Sequence, residues 1–98
     1  MAKLTTVYWR DIPAQVIAKE RRDTAKIVLT ERFAEAIDKA AMRAKMAGTD
    51  AYLEQWRREV VNCGQDLQAA ADDAAAQLEK AYDNTRLEAL ISSGGTDA

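Results

Sequence analysis

The apolar residues of this chain change their spacing at Thr30, and that change limits the fold more than any other feature. Before it, Lys3 to Arg10 is rich in β-branched and aromatic residues. Strand alternation puts Leu4, Thr6 and Tyr8 on one side and Thr5, Val7 and Trp9 on the other. Ala25, Ile27 and Leu29 likewise alternate with Thr24, Lys26 and Val28, as in a sheet with one covered face. After Thr30, Phe33, Ile37, Ala40, Ala41 and Ala44 recur at helical spacing. Strands followed by helices predict an α+β fold, with a three-stranded antiparallel N-terminal sheet packed by two to four C-terminal helices.

The punctuation supplies boundaries. Asp11-Ile12-Pro13 interrupts the first strand, because proline lacks a ladder donor and holds Ile12 extended. Gln15 to Glu20 and Thr24 to Leu29 read as two hairpin arms, with Arg21-Arg22-Asp23 as the turn. Thr30 stands where an N-cap belongs, and Glu31 suits the first turn. Gly48 is expected to end this helix as a C′ residue. Thr49 or Asp50 then caps a shorter helix whose inward face is Tyr52, Leu53 and Trp56.

Val60-Val61-Asn62-Cys63-Gly64 either finishes that helix or forms a short added strand, and its periodicity does not decide. From Asp66 a long alanine-rich helix begins, with Leu67, Ala71, Ala74, Leu78, Ala81 and Tyr82 in phase. Leu87, Leu90 and Ile91 fall near its opposite side. Either the helix breaks, with Asn84 as a new N-cap, or it runs on and shows the cluster to a partner. The break is the reading adopted. Residues 3–92 then form a single domain, and 93–98, small and polar, a disordered tail.

Composition excludes several chemistries. The chain has no histidine, so the usual general base and the commonest metal ligand are missing. With Cys63 as its one cysteine, neither a Cys/His zinc site nor an internal disulfide is possible. No glycine-rich phosphate loop appears. Cys63 lies near Arg57 and Arg58, which could activate a thiolate, but a buried inert thiol is the commoner fate. Asp72 and Asp73 point about 100° apart on a helix and read as a solvated face. No metal, cofactor or catalytic set is therefore expected, and the chain is read as no enzyme by itself, although it could complete a partner's active site.

The net charge of −2 hides a polarity. Residues 1–58 hold 12 Lys/Arg against 8 Asp/Glu, and residues 59–98 hold 2 against 8. Such an arrangement can steer a charged partner. Lys19, Arg21, Arg22 and Lys26 cluster on the hairpin, yet a pI near 5.1 disfavours nucleic acid as the partner. No apolar run is long enough to span a bilayer, and the first ten residues lack signal-peptide order. Cytoplasmic location is the expectation.

Two groups are candidate partner- or ligand-binding residues. Tyr8, Trp9 and Arg10 offer a ring and a guanidinium for stacking on a partner, a pterin or a base. Leu87, Leu90 and Ile91 offer an apolar patch. The runs VYWRDIPAQV (Val7 to Val16), ERFAEAIDKAAMRA (Glu31 to Ala44) and DAYLEQWRR (Asp50 to Arg58) resemble small bacterial proteins of the virulence factor family. That resemblance implies an accessory subunit or helper of folate- or corrinoid-linked one-carbon enzymes, and it brings no catalytic residues. The expected function is thus a non-catalytic accessory or interaction protein that docks on an enzyme subunit or on itself. The alternative is a domain binding a pterin-like or nucleotide-like molecule.

Overall fold

The computed structural model describes residues 2–46 and 48–96. It is α+β, with β1 (Lys3–Trp9), β2 (Ile12–Glu20), β3 (Asp23–Val28), α1 (Glu31–Arg43), α2 (Asp50–Glu54), β4 (Trp56–Asn62), α3 (Leu67–Ala81) and α4 (Asn84–Ser92). The sheet has four antiparallel strands, not three, in the order β3-β2-β1-β4. Trp56, expected inside a second helix, instead opens β4 opposite Trp9. Leu53, expected on that helix's inner face, is 65% exposed.

Proline does not break the sheet where the sequence suggests. Arg10 and Asp11 form the turn, Trp9 pairs with Ile12 and Tyr8 with Pro13. The irregularity that Pro13 imposes falls between Val7 and Tyr8, where the register shifts by one residue. Arg10 and Arg21 take the positive φ values, 53° and 54°, at the two hairpin turns.

Antiparallel partners share a face, so the register sorts the side chains. Leu4, Val16, Ala18, Ala25 and Ile27 face the helices, and α3 lies across β2 and β3. Ala71 and Ala75 of α3, Phe33, Ile37 and Ala40 of α1, and Leu87 and Leu90 of α4 complete that core. The other face presents Lys26, Ile17, Thr5 and Val60 in one row and Val28, Gln15, Val7 and Arg58 in the next. Thr5, Ile17 and Val60 take no part in the core. At the Trp9 end, α1 and α2 border this second face, and beyond them it is uncovered.

The helix ends follow hydrogen-bonding demand. Thr30 is the N-cap of α1, but its hydroxyl makes no local cap. Glu79 of α3 accepts from the Thr30 N–H at 2.8 Å and from its hydroxyl at 2.9 Å. Gly48 does not close α1. Lys45, at φ 59°, takes the left-handed position, with Met46 N–H on Ala41 O and Lys45 N–H on Met42 O. The last helical region does break, and Asp83 rather than Asn84 caps α4 by accepting from the Arg86 N–H.

The same left-handed closure recurs after α4, within the residues expected to form the tail. Gly94, at φ 74°, donates to Ile91 O, and Gly95 donates to Leu90 O. Both glycines are buried, and Asp11 N–H bonds Gly95 O at 2.9 Å. Of the expected tail, Asp97 and Ala98 lie outside the described residues.

Candidate interaction surface

Tyr8, Trp9 and Arg10 diverge in the fold, and two of the three serve its closure. Trp9 is completely buried, and its indole N–H donates to Tyr52 O at 2.9 Å. The Gly95 backbone covers the ring so closely that a methyl group there would lie 2.7 Å from Cζ3. Arg10 donates from Nε to Gln55 Oε1 at 3.2 Å and from its terminal nitrogens to Gly94 O and Met46 Sδ. It is thus a clamp between β1, the α2 end and the C-terminal cap, with its donors turned inward. Tyr8 stands on the opposite face, half-buried, with the Arg57 guanidinium 4.5 Å from its ring centre. Burial foremost, then Tyr82 and Glu59, pushes its phenol above the usual value.

Leu87, Leu90 and Ile91 also move from candidate contact to packing. Leu87 and Leu90 are buried in the core, and Ile91 is half-buried against it. Because α4 turns back, residues that would face outward on a straight helix point inward. A charge at Leu90 would test the core, not a docking face. Cys63 is half-buried beside the same core.

What the chain leaves exposed lies elsewhere. Six of the seven residues of β4 are exposed, and this strand is an edge with one row of backbone donors and acceptors facing outward. Val60 and Val28 on the open face are 56% and 65% exposed. Next to them, a groove of about 250 Å³ is lined by Val7, Gln15, Val28, Ile37, Tyr52 and Trp56. Tyr52 meets Trp56 edge to face at 6.1 Å, and Trp9 supports Tyr52 from behind at 5.6 Å. Burial, then the Asp38 carboxylate, raises the Tyr52 phenol above its ordinary value. Nothing in the sequence pattern marked this surface, since locating it needs the register between β1 and β4.

Among the described residues no three Cys, Asp or Glu side chains gather as a metal-ligand set, and no helix is long and apolar enough to cross a membrane. The geometry defines a class: a small antiparallel sheet clad with helices on one face and bare on much of the other. Within that class the family is shown by sequence. The virulence factor profile matches residues 7–91, and the chain belongs to that family. No curated protein and no solved structure matches it significantly.

Proposed function

We propose that this protein is a non-catalytic accessory chain that acts by docking on an enzyme subunit. The observation that carries this reading is the one-sided sheet, whose open face exposes Val28 and Val60 by more than half, with Val61 equally exposed on the other side of the β4 edge. Exposed apolar residues on an open sheet gain free energy when a partner covers them. The class of partner, a folate- or corrinoid-linked one-carbon enzyme, rests on the family resemblance alone. A second reading is favoured by the groove beside Tyr52 and Trp56, whose rings suit a planar ligand such as a pterin or a nucleobase.

The test is isolation of the chain at native level from its own cells, with a Val60→Asp variant beside the wild type. The wild type should bring down one enzyme subunit in stoichiometric amount. The variant should lose it while keeping its circular dichroism and melting temperature, because Val60 is outside the core. Wild type emerging alone as a monomer removes the accessory reading. A response of Trp56 fluorescence to pterins or nucleotides would then favour the ligand reading.

A further inference from the structure

The strands sort most of their charges between the two faces of the sheet; Arg57 is the strand cation that stands with the acids, paired with Tyr8 by register and bonded to Glu59. Lys3, Lys19, Lys26 and Arg58 all stand on the open face by register. The three strand acids, Glu20, Asp23 and Glu59, all stand on the other: Glu20 pairs with Asp23, and Glu59 with Thr6. All four cations are exposed, and among the described residues none is in an ion pair. Lys3 donates to Asn62 Oδ1 beside it at 2.6 Å. Asp38 of α1 is an acid that borders this face, at the groove end away from Lys3 and Lys19.

These cations surround apolar side chains. Ile17 and Val60 lie in the row of Lys26, with Lys3 and Lys19 directly paired in the row beside it. Val28 and Arg58 end the row on the other side. From this arrangement, which rests on the accessory reading above, we infer that the open face docks a protein segment whose apolar side chains are flanked by carboxylates. The apolar rows supply the association free energy, and the four cations select and orient the partner.

Two other occupants compete with that segment. Single-stranded nucleic acid needs aromatic platforms along its path, whereas the rows between the four cations carry Thr5, Val7, Ile17, Val28 and Val60, and the rings of Tyr52 and Trp56 stand at the groove end. A chain of net charge −2 also lacks the overall basic footprint of such proteins. A second copy would offer the acids of α3, or Asp38 with Met42 and Asp50 with Leu53 on the helices α1 and α2, which border the open face itself. The exposed positions around Asp72 and Asp73 are Gln68, Ala69, Ala76 and Gln77, which provide no large apolar side chain.

The experiment titrates the isotope-labelled full chain, by amide NMR, with three probes. They are a synthetic amphipathic peptide of leucine and glutamate, the same peptide with lysine for glutamate, and a thymidine oligonucleotide. The glutamate peptide should shift the amides of Thr5, Ile17, Lys19 and Val60. Its affinity should fall about tenfold in a Lys19→Glu/Lys26→Glu variant and remain unchanged in Lys80→Glu, on the helical side. Tighter binding of the oligonucleotide, equal binding of the lysine peptide, or shifts confined to the helices would overturn the inference. So would a dimer in sedimentation that the double variant dissolves, since a second copy would then own the face. If the peptide leaves the face untouched while Val60→Asp still releases an enzyme subunit, the acidic partner is wrong and the accessory reading stands. Peptide binding without any co-purified subunit would instead keep the acidic segment as the ligand and remove the enzyme subunit as its source.

Discussion

Gly95 is where a single atom decides most. Its φ of 98° lies in the region that side chains avoid, and an added Cβ would meet Trp9 Cζ3 at 2.7 Å. Neither the ring nor the backbone on either side has room to retreat, because Trp9 is buried and Asp11 N–H holds Gly95 O. Gly95→Ala should therefore lower unfolding free energy by about 2–3 kcal/mol, from overpacking and backbone strain together. Gly94→Ala, at φ 74° with 3.3 Å to Ala44 Cβ, should cost nearer 1 kcal/mol. Urea unfolding of both variants gives the comparison, and equal stabilities would disprove the stacking account. The paired glycines were visible as residues, but small polar neighbours made them look like a free end. A C′ glycine is recognisable only once the helix before it is placed.

At the scale of elements, the helices were more legible than the sheet's edge. The stripe from Phe33 to Ala41 and the chain reversal near Asn84 follow from spacing, because those faces are buried. β4 has no such signal. Its Arg57-Arg58-Glu59 run and adjacent Val60 and Val61 do not alternate, since an exposed edge strand has no buried face to enforce alternation. Its ladder to β1 joins residues more than forty positions apart. Side chains that tie elements together were equally hidden. Glu79 of α3 holds Thr30 and lies 3.0 Å from the Arg32 guanidinium, so α3 caps the start of α1. Burial opposes its charge, but the Thr30 N–H and hydroxyl and the Arg32 guanidinium prevail and keep the carboxyl below its ordinary 4.5. A depressed folded pKa means stability that is complete above that ordinary value and is lost as pH falls through the folded one. Glu79→Gln should cost about 1 kcal/mol at pH 7 and show a flatter loss of stability below about pH 4.5. Parallel pH profiles for variant and wild type would rule out this cap.

For the whole molecule, the first hairpin turn and the cap after α4 close on each other, and stability should depend on that closure. Trp9, in the first strand, lies under Gly95, and Arg10 reaches Gly94 O at 3.0 Å. The face of the sheet that remains bare is thus bounded at the Trp9 end by a sealed corner of Trp9, Tyr52 and the C-terminal cap. A chain ending at Ser92 keeps every strand and helix but loses the seal. It would leave the Asp11 N–H and one Arg10 donor without their partners, or with water, and open one side of the largest buried ring. The lost bonds and burial together amount to about 2–4 kcal/mol. In a domain of this size that is a fall in melting temperature of roughly 10–20 °C. A Trp56→Phe background isolates the signal of Trp9, which should pass from shielded to quenchable by acrylamide on truncation. Unchanged melting with Trp9 still shielded would show that residues 93–96 merely rest on the fold. A large loss would instead make the C-terminal cap part of the platform that holds Tyr52 and Trp56 at the border of the open face.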